Sequence, residues 1–179
     1  MTLPERGPDL RELFLLFRPE EAIPRYEIIP AAQVPQPYHD LLVHEHHMTV
    51  TVEAHHRDSV DVRILARRHE GDYYARQILL TLHNNGRVVQ FGIVRVDLTA
   101  CSPPVREEIL AGKTPFGRIL INHNVLRRIE PTAFLRIHPG APLMRWFGMT
   151  ESRSVYGRLA YIYYDGQAAV ELLEIVAPE

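Results

Sequence analysis

The chain has 179 residues, 46% of them hydrophobic and 23% charged, a balance that fits one globular domain with its own core. A formal net charge of −2, with no long run of one sign, excludes a nucleic-acid footprint. The single cysteine, Cys101, excludes an internal disulfide and a cysteine-rich zinc site, and the start MTLPERGPDL and the short apolar runs predict neither a secretory signal nor a membrane span, so a soluble cytoplasmic protein is expected.

Along the chain, Leu10, Leu13, Phe14 and Phe17 fall at helical spacing and predict a short helix. Dense proline between Pro19 and Pro37 then predicts an irregular stretch, because proline removes donors and resists both helix and sheet. The expected organisation is therefore a Pro-rich N-terminal arm over 1–36, carrying that helix, and one domain over 37–179. Pro37 suits the first turn of a helix through Tyr38, Leu41 and Leu42. Strand signals follow. Val60, Val62, Ile64 and Ala66 alternate with Asp61, Arg63, Leu65 and Arg67. Gly71-Asp72 offers a turn into YYARQILLTL, and His83-Asn84-Asn85-Gly86 offers a second into VVQFGIVRVDL. Pro103 to Ala111 reads as a helix closed by Gly112. Thr114-Pro115 opens another, with Thr as cap and Pro at the first position. SVYGRLAYIYY and AAVELLEIVA flank Asp165-Gly166 as a last hairpin. Hairpins with a helical pair between them predict an α+β fold, a mostly antiparallel sheet with helices packed on it.

Four features could carry chemistry. Five of the ten histidines lie in HEHHMTVTVEAHH: His44, His46, His47, His55 and His56. The zinc-protease spacing H-E-x-x-H is missing and no carboxylate or cysteine partner is evident, so the stretch reads as exposed surface and no metal is expected. Arg76 shares a strand face with Tyr74, Ile78, Leu80 and Leu82. A guanidinium keeps its proton, so Arg76 needs an anion: a protein carboxylate or a ligand. Glu174 lies with Val170, Leu172 and Val176, and Glu171 with Ala169, Leu173 and Ile175. Parity alone leaves open which of the two is buried, and a bridge to Arg76 or Arg158 would satisfy either. Finally, GKTPFGRIL places two glycines around a helix start whose amides can hold a carboxylate, without the spacing of a P-loop.

Taken in order, these pieces resemble the chorismate pyruvate-lyases, which make 4-hydroxybenzoate and pyruvate from chorismate. That family's pattern has Met-Thr after an early helix, an Arg-x-Ile-Leu-Leu strand, Gly-Lys-Thr-Pro-Leu-Gly-Arg, a Gly-Arg pair at the start of a strand, and a Glu shortly before a Pro. Here they stand as Met48-Thr49, Arg76 to Leu80, Gly112 to Arg118, Gly157-Arg158, and Glu174 with Pro178. The resemblance runs over roughly Tyr38 to Pro178. It implies a chorismate lyase-like fold and a carbon–oxygen lyase without metal or cofactor. Arg76 would bind a substrate carboxylate and Glu174 would face the reacting ring as the two catalytic residues. Met48, Phe116 and Gly117 would complete the substrate site, with Phe116 where the family has Leu. By propensity Val-Thr-Val after Met48 suggests a strand; by resemblance Thr49 caps a helix, and the helix is the expectation adopted.

The alternative is a non-catalytic domain of the same fold that binds a small carboxylate or aromatic ligand, as the effector domains of some transcription factors do. Those domains are normally fused to a winged helix, for which 1–36 is a poor candidate, so the enzyme is the preferred expectation.

Overall fold

The computed structural model describes residues 7–17, 23–125, 127–164 and 166–179. In chain order the elements are α1 Leu10–Leu15, β1 Arg25–Ile29, α2 Tyr38–Leu42, α3 Met48–His56, β2 Val60–Glu70, β3 Tyr73–Leu82, β4 Val88–Asp97, α4 Pro103–Ala111, α5 Phe116–Asn122, β5 Arg127–His138, α6 Ala141–Trp146, β6 Val155–Tyr164 and β7 Gln167–Val176. Two 3-10 turns, Ala31–Gln33 and Leu98–Ala100, complete the assignment.

The strands form one sheet in the order β1-β5-β6-β7-β4-β3-β2. Every neighbouring pair is antiparallel, so the expected α+β architecture is the one observed. Two three-stranded meanders, β2-β3-β4 and β5-β6-β7, meet where β4 pairs with β7, and α4 and α5 carry the chain between them.

Each face of the sheet is covered. On one side Leu10, Leu13 and Phe14 of α1 and Leu143 of α6 pack on Leu79, Phe91, Ile93, Leu135, Leu173 and Ile175. On the other, α2 and α3 send Tyr38, Leu41, Leu42, Met48 and Val52 onto Ile78, Leu80 and Val176. Beside them α4 and α5 send Val105, Ile109, Ile119 and Leu120 onto Val94, Val96, Ala160, Val170 and Leu172. This double burial explains why β7 reads as apolar on both faces: a strand alternates only when one of its faces meets water.

The hairpin turns fall where glycine permits them, with φ of 59° at Gly71 and 71° at Gly86. The α4 helix ends at Gly112 (φ 68°), as expected. Pro37 and Pro115 sit one position earlier than expected, as the caps of α2 and α5. Met48–His56 is helical, with His47 rather than Thr49 at the cap. Asp165 of the last expected turn, and residues 18–22 of the Pro-rich stretch, lie outside the described residues.

Three elements had no sequence expectation. β5 contains Pro131, which argues against a strand, but the residue sits where the β5–β6 register shifts between Pro131 and Ala133, so no regular ladder bond is asked of it. β1 lies inside the stretch read as irregular and pairs only with β5 at the sheet edge, with Ile29 its one buried residue. The six-residue α6 is too short for periodicity to reveal.

Gly157 on β6 has a packing reason: a Cβ there would lie 2.6 Å from the Glu174 carbonyl oxygen on β7. Gly157→Ala should therefore push the two central strands apart and cost about 1–3 kcal/mol, read as a lower urea midpoint.

Candidate functional site

A cavity of about 50 Å³ lies between the sheet and the starts of α3 and α5. Arg76 and Ile78 of β3, Gly92 of β4 and Glu174 of β7 form its floor; Met48, Phe116 and Gly117 of the helices form its wall. Gly92 pairs with Ile78 on one side and Glu174 on the other, and its missing side chain leaves space between them. The five positions singled out from the sequence, Met48, Arg76, Phe116, Gly117 and Glu174, thus border one cavity although they come from four elements.

Arg76 is 1% exposed. Its Nη2 donates to the Thr114 carbonyl at 3.0 Å, while Nε and Nη1 have no hydrogen-bond partner. Among the described residues no carboxylate stands within ion-pair distance of it. Burial pushes the pKa of Arg76 down, with Tyr74 opposing that, yet a guanidinium keeps its proton at neutral pH. A snorkelling arginine would show an exposed head, and a structural one would show a carboxylate partner.

Both candidate glutamates are buried, and each has its own arginine. Glu171 faces the α1 side and pairs with Arg95 Nε, away from the cavity. Glu174 faces the cavity and takes Arg158 Nε at 2.7 Å through Oε2. Arg158, at 0% exposure, also donates Nη1 to the carbonyls of Leu42 (3.3 Å) and His44 (2.7 Å), and Nη2 to that of His46 (3.0 Å). One side chain therefore fixes the glutamate and the loop that delivers His47 and Met48 to the cavity. Gln90, also on the cavity wall, has a buried Oε1 with no partner.

The histidines divide into different environments, which corrects their reading as one exposed stretch. His44 accepts at Nδ1 from the His46 amide (3.1 Å) and from Arg158 Nη1 (3.3 Å), and its Nε2–H donates to the Leu41 carbonyl at 2.8 Å. Burial, with Arg158 nearby, brings its pKa down to about 4. His47 is buried on the cavity wall, where burial and then Arg127 bring it down to about 4 as well. Sequence reasoning passed over this residue, because His-His-Met gives no sign that its second position turns inward as a helix cap.

His55 stays near the surface, while the side chain of His56 is 6% exposed. Their Nε2 atoms lie 3.3 and 3.4 Å from the carboxylate of Glu179, the partner that the sequence did not reveal. Arg87 Nη2 stands 2.9 Å from His56 Nδ1. Since a guanidinium only donates, that contact places the His56 proton on Nε2, on the side of Glu179.

No protein-family model matches the chain, and no curated protein matches it in sequence. Solved structures do. PhnF from Mycobacterium smegmatis superposes with a TM-score of 0.50 at 12% identity, over 72% of this chain and 62% of that one. Its effector domain covers 74% of this chain and 88% of its own, with a TM-score of 0.48 at 12% identity. The ligand-binding domain of a protein described as a GntR-family transcriptional regulator, from Bordetella bronchiseptica, gives 0.49 at 14% identity over 66% of this chain and 85% of that one. At such identities the likeness is one of fold alone: an α+β domain like that found in PhnF. Among the described residues, no helix is long and apolar enough to cross a membrane.

Removing Arg158 would strand Glu174 and three carbonyls. Arg158→Leu should cost about 3–5 kcal/mol in urea unfolding. Combined with Glu174→Leu it should recover much of that loss, because the pair then leaves together.

Proposed function

We propose that the cavity binds a small, carboxylate-bearing organic ligand, with Arg76 as its anion anchor. The observation that carries this reading is the state of Arg76: a fully buried guanidinium on the wall of a cavity, with two nitrogen positions unpartnered and no protein carboxylate in reach among the described residues. Burying such a charge alone is costly, and a ligand carboxylate would both neutralise it and take its free N–H groups in a charge-assisted pair. Apolar walls from Ile78, Val94, Phe116 and Leu172 suit a ring or short hydrocarbon body attached to that carboxylate. This is the reading of a ligand-binding domain, and the fold shared with PhnF is compatible with it.

A second reading, turnover of chorismate to 4-hydroxybenzoate and pyruvate, is favoured by one specific observation. The residues that match the lyase pattern, Met48, Arg76, Phe116, Gly117 and Glu174, border a single cavity. In that reaction loss of the ring C4 hydrogen and cleavage of the C3–O bond give an aromatic ring, which supplies the driving force. The protein would chiefly bind, orient and exclude water. Arg76 would hold one of the two carboxylates of chorismate. Glu174, tied by Oε2 to Arg158, would offer Oε1 to the 4-hydroxyl or pass a proton. The main chain at Met48 and Phe116 would take the remaining polar groups, and no metal or cofactor enters this scheme.

Calorimetric titration with 4-hydroxybenzoate and chorismate, and chromatography of chorismate incubations containing EDTA, test both readings. Binding is expected for the wild type and should weaken roughly 10–100-fold in Arg76→Met. Without ligand, Arg76→Met should unfold at higher urea than the wild type, because it removes an uncompensated buried charge. A destabilised Arg76→Met that still binds normally would sink the anchor role. Formation of 4-hydroxybenzoate would select the lyase; binding without product would select the ligand-binding domain.

A further inference from the structure

His47 sits at the cap of α3, buried on the cavity wall. Its ring accepts a hydrogen bond at Nε2 from Arg127 Nε. Arg127 comes from the first residue of β5, and its Nη1 is held by the Val125 carbonyl at 2.7 Å. A guanidinium has five donors and no acceptor, so Nε2 must present its lone pair. A neutral imidazole carries one proton, and here that leaves only Nδ1 to hold it. A second proton would set N–H against N–H at Arg127, in keeping with a ring that stays neutral down to about pH 4.

The Nδ1 edge of the ring faces Gly117, which lines the cavity together with His47 and Thr49. A Cβ placed on Gly117 would lie 3.1 Å from His47 Nδ1 and 3.1 Å from Thr49 Oγ1, so both polar atoms converge on the same edge of the wall. Neither makes a hydrogen bond to another described residue. They form a neutral corner, separate in chemistry from the cationic anchor at Arg76.

We infer that His47, fixed by Arg127 as its Nδ1–H tautomer, is a specificity-determining donor which, with Thr49, takes a second oxygen of the ligand at the Gly117 edge of the cavity. The site then selects acids that carry a further oxygen acceptor, a hydroxyl or a second carboxylate, over plain monocarboxylates. Arg127 is a positioning residue: it touches no ligand and sets which nitrogen of His47 can donate. The inference rests on the carboxylate-binding reading and adds to it the second functional group that the ligand must bear.

Two measurements test it. Long-range proton–nitrogen correlation spectra of the nitrogen-labelled, ligand-free protein report the tautomer, with His47→Gln assigning the signal. The expected result is a neutral ring protonated at Nδ1 at pH 7, which Arg127→Met shifts toward the Nε2–H form. An Nε2–H ring, or an imidazolium, in the wild type would overturn the proposal. The second is titration of wild type, His47→Asn and His47→Gln with benzoate, 4-hydroxybenzoate and chorismate. Asn keeps an N–H near the position of Nδ1, whereas Gln reaches only to that of Nε2. Preference for the two oxygen-richer acids over benzoate should persist in His47→Asn and fall roughly 10-fold in His47→Gln, while benzoate binding stays level. If all three acids bind through Arg76 with the same preference in each protein, this inference falls and the anchor stands. If none binds the wild type, both fall.

Discussion

Arg158 is the interaction on which the geometry of the cavity depends. It rises from the sheet beside β7 with no exposure, and its donors are divided between the Glu174 carboxylate and the carbonyls of Leu42, His44 and His46. The sheet is thereby tied to the only stretch of chain that joins α2 to α3. That stretch has no regular structure of its own, so its carbonyls need donors from elsewhere once buried. With Arg158 in place the loop delivers His47 to the cap of α3 and Met48 to the cavity wall. Glu174 is held on the floor by the same group, which makes the floor and the wall parts of one hydrogen-bonded unit.

Arg76 is the counterpart that the fold leaves unsatisfied. Both arginines are fully buried on the same face of the sheet, but one has its charge matched and the other does not. The comparison removes the general objection that this protein simply tolerates buried guanidinium groups. Where a buried arginine serves structure here, as Arg158 does at Glu174, it has a carboxylate within hydrogen-bond distance. A charge kept without one, on a cavity wall, lowers stability and is retained only where something else gains from it.

Much of this was legible in the sequence, for identifiable reasons. The hairpins declared themselves through glycine turns between β-rich runs, and Gly112 closed α4 where the chain must turn left-handed. The Arg76 strand exposed its conflict by parity, one cation on an otherwise apolar face. For Glu171 and Glu174 parity could not decide, and the structure shows why: both faces of β7 are covered, so both carboxylates are buried and each demands an arginine. What stayed hidden depended on contacts between residues far apart in the chain. Pro131 concealed β5 because a bulge is a property of the pair of strands, not of one. His47 and Arg127 are separated by 80 positions, and only the fold brings a donor to Nε2.

The fold by itself does not distinguish a binding domain from an enzyme, since the same cavity walls serve both. The distinction lies in what must happen after an acid has docked on Arg76. Binding needs only charge matching and a fitted apolar wall. Turnover of chorismate needs in addition a group that can accept from the 4-hydroxyl while the ring is held still, and in this chain that group would be Glu174. Its Oε2 is committed to Arg158, so only Oε1 can serve a ligand. A carboxylate held at one oxygen by a buried guanidinium is a well-oriented acceptor but a poor mobile proton carrier, because protonating it would break the pair that fixes the α2–α3 loop. If this chain does run the lyase reaction, its geometry therefore favours direct transfer of the C4 proton within the substrate, with Glu174 orienting the hydroxyl rather than carrying the proton.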